Sequence, residues 1–323
     1  MLPTATTAAE PLSIPGPATT IGPSDLIAAF YASLSPNTLA AYRRDLADFA
    51  QHISAPDVEV AARRLLTGTS GDANALALAY RSSMVDAERS SSTVNRRLSA
   101  LRSLMTLART LGLITWTIEI RNLRSESYRD TRGPQTSGVE ALLAAAKRQG
   151  CVKALRDAAM VRLMFDIALR RGEVVALDLA DADIAGRRVW VLGKGRREKV
   201  PLTLPEPTAT ALAAWIAARG GAPGPLFTSL DLTGKGAEDR RLRGQGLWTV
   251  IKALGRAAGI EVRPHGLRHS AITAGLDKTK GDLRAVQRFS RHADWRTLAR
   301  YDDNRSDLGG EVASLVAAEI VDS

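Results

Sequence analysis

Arg263-Pro264-His265-Gly266-Leu267-Arg268-His269 is the stretch on which the reading of this chain turns. A proline in the first helical turn gives up an N–H that would lack a partner there anyway, so the heptapeptide predicts a helix over 264–277. Positions i, i+3 and i+4 share one helical face, which points His265, Arg268 and His269 the same way. Two imidazoles and a guanidinium repel when all are charged, so the face asks for a nearby anion or for neutral histidines. A phosphodiester meets that demand. An i, i+4 histidine pair can also ligate zinc, but here no glutamate stands between the two, and Arg268 opposes a bound cation. A purely structural role for the face is the remaining reading.

The chain holds four histidines, and His265, His269 and His292 are three of them. Apolar periodicity predicts further helices near 138–148, 153–170, 247–258 and 281–291, with another beginning after Glu206. Val189-Trp190-Val191-Leu192 and Lys199-Val200-Pro201-Leu202 read as strands joined by the turn Gly193-Lys194-Gly195-Arg196-Arg197. A glycine-rich stretch over 219–246 supplies loops. Residues 137–308 therefore read as one mixed domain.

The first half reads differently. Leu26, Ile27, Phe30, Tyr31 and Leu34 recur at helical spacing from Asp25 onward. Ser35-Pro36 is an N-cap followed by proline at the first helical position. Leu39, Tyr42, Leu46, Phe49 and Ile53 then form one apolar stripe, with Arg43 and Arg44 off it. An alanine-rich helix follows from about Asp72 to Glu88. Another begins after Ser92, with Val94, Leu98, Leu101, Met105 and Ala108 inward and Arg96, Arg97, Arg102 and Arg109 largely elsewhere. Residues 25–118 are thus predicted to be all helical, with outward arginines that form either a solvated surface or a face for phosphates. Residues 119–136 are polar and basic and read as a linker. Arg121 and Arg124 there would contact phosphates if DNA passes between the domains. Residues 1–24 contain five prolines and no lysine or arginine. They cannot bury a core and are expected to stay disordered.

The bulk numbers agree with a two-domain protein: 323 residues, of which 45% are hydrophobic. No apolar run approaches the roughly 20 residues that cross a bilayer. The N-terminal residues lack the basic start and apolar stretch of a signal peptide, so cytoplasmic residence is expected. Cys151 is the single cysteine. It excludes an internal disulfide and a multi-cysteine zinc site, and is expected to be a small buried hydrophobe. A net charge of +10 favours a polyanionic partner, since cations that neutralise phosphates release counterions.

Taken in order, five pieces of the sequence resemble the tyrosine recombinase, or phage integrase, family, and the likeness spans roughly residues 25–310. They are Leu169-Arg170-Arg171-Gly172-Glu173, Gly193-Lys194-Gly195, His265-Gly266-Leu267-Arg268, His292, and Tyr301 nine residues beyond it. The segments SPNTLAAYRRDLADF and STVNRRLSALRSL resemble that family's core-binding domain. There are two departures. Phe289-Ser290-Arg291-His292 stands where Leu-Gly-His is common, and Asp302-Asp303 follows the tyrosine.

The resemblance implies a mainly α fold with a small antiparallel β-sheet: a SAM-like core-binding domain joined to an α+β catalytic domain. It implies cleavage and rejoining of DNA strands through a 3′-phosphotyrosine on Tyr301. Arg170 and Arg268 would clamp the phosphate, His265 would act as base and Lys194 as acid, and His292 would donate a hydrogen bond. Glu173 and His269 would support these groups. Arg43, Arg44, Arg96, Arg97, Arg121 and Arg124 are candidates for holding the duplex. The implied partner is double-stranded DNA, bound by a tetramer of two dimers, formed by this chain alone or with a related recombinase. No metal, nucleotide or other cofactor is implied, nor any membrane, and the expected location is cytoplasmic, on the nucleoid when DNA is bound. An apolar stripe of Val312, Leu315, Val316 and Ile320 on a terminal helix in 309–323 would dock on a neighbouring subunit or in cis. Two other functions compete: a DNA-binding protein on an inactive scaffold, and DNA relaxation of the type IB topoisomerase kind.

Overall fold

The computed structural model describes residues 22–124, 133–193, 195–230, 240–294, 298 and 308–318. The chain divides into two compact units, residues 1–126 and 127–323.

The first unit holds five helices: α1 (Pro23–Ala32), α2 (Pro36–His52), α3 (Val58–Thr67), α4 (Ser70–Asp86) and α5 (Ser91–Thr110). Short polar side chains start three of them by satisfying N–H groups that have no partner within the helix. Asp57 accepts from the N–H of Val60, Ser90 accepts from that of Thr93, and Thr69 and Asp72 cap each other reciprocally. Ser35 begins α2 without such a bond, and its hydroxyl lies 2.9 Å from that of Thr38 instead. Leu46 and Phe49 of the α2 stripe are fully buried, as are Val94, Leu98, Leu101 and Met105 of α5. These side chains close one core with Leu26, Phe30, Leu65 and Tyr80. The packing runs past residue 118: Asn95 exchanges hydrogen bonds with the backbone of Leu123, and Arg102 donates to Ile120 O at 2.8 Å. The first part of the predicted linker is therefore tied to the helical unit.

In the second unit α6 (Gln135–Lys147) and α7 (Val152–Asp166) are followed by the short α8 (Arg171–Ala176) and a three-stranded antiparallel sheet. Its strands are β1 (Ala182–Asp183), β2 (Arg188–Leu192) and β3 (Lys199–Thr203). Val189 pairs with Leu202 and Val191 with Val200. Because side chains alternate along a strand, Val189 and Val191 both enter the core while Arg188 and Leu192 stay outside. Beyond the sheet lie α9 (Glu206–Arg219), α10 (Gly244–Ala257), α11 (Pro264–Lys278), α12 (Leu283–Ser290) and α13 (Leu308–Ala318). Met160, Leu163, Leu212, Trp215, Phe227, Ile251 and Leu267 belong to the core they enclose. No described helix is long and apolar enough to cross a membrane.

Two expectations are corrected. The helix predicted over 153–170 stops at Asp166, because Ala168 takes a left-handed conformation (φ +50°) that a helix cannot continue through. Cys151 is exposed rather than buried. It is the extended N-cap of α7, so it precedes the helical face that packs inward. In the terminal helix the side chains of Val312 and Leu315, and all of Ile320, lie outside the described residues, while Val316 is exposed.

Candidate active site

The break after α7 builds the first wall of a cleft. Arg170 is the extended N-cap of α8, and Glu173 reaches back to accept from its N–H at 2.9 Å and from its guanidinium at 2.8 Å. Proline starts α11 as predicted, so His265 sits in the first turn and Arg268 one turn on. Arg268 is 2% exposed, and its guanidinium donates to the carbonyls of Ala168 and Ser290. That ties α11 to the break after α7 and to the end of α12. His292 follows α12 by two residues, with Nδ1 2.8 Å from Ser290 Oγ.

Arg170, His265, Arg268 and His292 thus line one cleft of about 520 Å³, together with Arg171, Gly172, Trp248, Arg263 and Pro264. Among the described residues, four of the nine that line it are arginines and none is a carboxylate. Such a surface suits a polyanion, because a guanidinium keeps its charge and offers forked donors matched to phosphate oxygens. Burial, then the charges of Arg268 and Arg170, holds His265 below the usual histidine range. Burial and the same two arginines, aided by His265 and Arg291, push His292 down to about 4. Both imidazoles are therefore neutral near pH 7. A neutral imidazole has one nitrogen that accepts a proton and one that donates. Burial alone would raise Glu173, but the Arg170 N–H, Arg291 and the Arg170 guanidinium outweigh it and keep the carboxyl below its ordinary value.

His269 takes another course. It is buried, its Nδ1 lies 3.4 Å from Thr273 Oγ1, and it is absent from the cleft lining. Among the described residues no three His, Cys, Asp or Glu side chains are grouped to share a metal ion. Lys194 and Tyr301 lie outside the described residues. Arg291, which the sequence marks only as part of a departure from Leu-Gly-His, bonds Glu173 through its guanidinium at 3.0 Å. The available signal was its place at the end of a helix, where glycine is favoured.

The helical unit treats its candidate arginines unequally. Arg96 pairs with Asp45, and Arg97 with Asp45 and Asp48. Arg43 lies over the Tyr31 ring, 4.9 Å from its centre, and Arg44 donates to Ala40 O. Arg121 and Arg124 are exposed.

Residues 135–307 match the model of the phage integrase family, and residues 31–110 that of the phage integrase N-terminal SAM-like domain. The chain belongs to the phage integrase family. Relatives of this family member include a tyrosine recombinase of Synechococcus elongatus, 39% identical over 88% of this chain and 89% of its own. Another is a tyrosine recombinase of Synechocystis, 35% identical over 88% of this chain and 91% of its own. Among solved structures, the XerH site-specific recombinase bound to a palindromic difH substrate superposes with a TM-score of 0.63. That match covers 92% of this chain and 85% of the other at 16% identity, so it speaks to the fold alone.

Proposed function

We propose that this tyrosine recombinase is site-specific and cuts and rejoins double-stranded DNA through a 3′-phosphotyrosine on Tyr301. The observation that carries the reading is the cleft, in which four arginines and two neutral histidines converge with no carboxylate among the described lining residues. A phosphodiester gathers negative charge on its non-bridging oxygens as it is attacked, and preorganised cations aimed at that charge commonly supply the largest share of rate enhancement. Arg170 and Arg268 fill that role. A tyrosine hydroxyl, with a pKa of about 10, is a weak nucleophile at neutral pH unless a base assists it.

His265 takes the hydroxyl proton as the Tyr301 oxygen bonds to phosphorus. The bond to the 5′-oxygen breaks, and Lys194 gives that oxygen its proton. In the tautomer whose Nδ1 accepts from the Ser290 hydroxyl, His292 carries its hydrogen on Nε2 and offers it to the phosphate. The phosphotyrosine conserves the cleaved bond, so a 5′-hydroxyl of a second strand reverses the step without metal or ATP. In this reading four copies act on two duplexes, and the protein works in the cytoplasm, on the nucleoid when DNA is bound.

The test is a nicked suicide substrate, drawn first from DNA flanking the gene, run on a denaturing gel with wild type and Tyr301→Phe. A covalent adduct formed in the presence of a chelator and absent from the variant supports the reading. An adduct that persists in Tyr301→Phe moves the nucleophile elsewhere. Tight binding with no adduct from either protein favours the inactive scaffold.

A further inference from the structure

Arg291 is the C-cap of α12 and takes the left-handed conformation, φ +58° and ψ +39°. That position favours glycine, because any other side chain crowds its own backbone there. Strain of this kind persists when the surrounding structure holds it, and the surroundings here are specific. One guanidinium nitrogen donates to Ile167 O at 3.0 Å and Phe289 O at 3.1 Å. The other donates to Ala168 O at 3.1 Å and to Glu173 Oε2 at 3.0 Å. The side chain is 13% exposed, and it is not part of the cleft lining.

Glu173 is the hinge of the arrangement. Oε1 accepts from the Arg170 guanidinium, while Oε2 accepts from the Arg170 N–H and from Arg291. The Arg170 guanidinium in turn reaches Arg291 O at 3.5 Å. Two strained segments, the left-handed Ala168 before Arg170 and the left-handed turn before His292, are thus tied to each other by one side chain. Without the second cation, a buried carboxylate would draw the Arg170 guanidinium more fully onto itself and away from the cleft.

We propose that Arg291 is a positioning residue: it shares Glu173 with Arg170 and locks the turn that presents His292, so that both groups face the scissile phosphate. This rests on the recombinase reading above. The planar fork explains the residue type, since lysine offers a point charge with three donors and cannot span three carbonyls and a carboxylate at once.

The decisive variant is Arg291→Gly, which accepts the left-handed turn without strain and removes the guanidinium. Single-turnover cleavage of the suicide substrate at saturating DNA is expected to fall about 10- to 100-fold, the usual range for groups that orient a reactive residue. The apparent Kd for DNA should stay within about 3-fold, as expected when an interaction is made only in the transition state. Arg291→Lys should fall between Gly and wild type, and millimolar guanidinium should restore part of the Gly variant's rate where equal ionic strength from KCl does not. A wild-type rate for Arg291→Gly overturns the proposal. So does a loss that merely tracks a lowered Tm and weakened DNA binding.

A second readout needs no cleavage. His292 faces Arg170, His265, Arg268, Arg291 and the Ser290 hydroxyl. Its NMR titration midpoint should climb toward the ordinary 6.5 in Arg291→Gly and stay low in Arg291→Lys. An unmoved midpoint in the Gly variant counts against positioning, whichever way the gel comes out. Failure of wild type to form an adduct sinks the recombinase reading, whereas an unmoved midpoint sinks only the positioning role of Arg291.

Discussion

The two units handle arginine in opposite ways. In the helical unit Arg96 and Arg97 meet Asp45 and Asp48 in nearly matched numbers, and the Tyr80 hydroxyl donates to Asp48 at 2.6 Å. Charge there closes on itself and fastens α2 to α4 and α5. At the cleft Arg170 and Arg291 share the one carboxylate of Glu173, and Arg268 is held by backbone carbonyls. Carbonyls fix a guanidinium in place without cancelling its charge. The described residues of the cleft therefore keep a net positive charge, while the helical network has little left to offer an outside phosphate.

Substitutions that exchange these behaviours test the contrast. The largest effect is expected for Arg170→Ala, which removes a clamp donor: single-turnover cleavage should drop by roughly 100- to 1000-fold. Arg97→Ala, at a similarly enclosed guanidinium, should leave the rate of the folded protein within about 3-fold. Equal losses from the two would erase the distinction.

Next in size is Asp45→Ala. Its carboxylate is 2% exposed and faces two arginines, so its loss should destabilise the protein by about 1–3 kcal/mol, the cost of leaving buried polar groups unpaired. Urea melts would register this, and the adduct yield below the melting range should not change.

Acidity gives a third check. His292 titrates at about 4 when folded, against an ordinary 6.5. Between those values the unfolded chain binds more protons, so stability is fully present above pH 6.5 and is lost as pH falls toward 4. His292→Gln should flatten that slope in Tm measurements. Because His265 is also held below the ordinary histidine value, cleavage at saturating DNA should begin to fall at a lower pH than an unshifted histidine base would give. A rate that already declines below pH 7.5 would point to a base with an ordinary or raised pKa.

The smallest effect concerns salt. Arg121→Ala should reduce the slope of log K against log salt by about 1, the signature of one lost phosphate contact. Arg96→Ala should leave it unchanged.

The contrast between the units was only partly legible beforehand. The stripes of α2 and α5 and the proline-started α11 could be read because helical periodicity and capping are local. So could the alternation of Val189 and Val191. The fate of Arg96 could not, since Asp45 lies 51 residues away in sequence and nothing local announces the pairing. The break at Ala168 has no local signal, because Arg268 and Arg291 hold it from 100 and 123 residues downstream. The usual burial of cysteine does not hold for Cys151, whose position before a helix leaves it exposed. Lys194 and Tyr301 rest on their order and spacing in the chain.

The start of α11 has one more consequence. Pro264 and His265 bring the amino end of a 15-residue helix to the cleft, and the aligned peptide dipoles place roughly half a positive charge there. That charge belongs to the backbone: it does not titrate, and no side-chain substitution deletes it. Capture of an anion should consequently outlast the loss of any one guanidinium and persist across the whole neutral range. Turnover, which depends on where each donor points, should be the more fragile property.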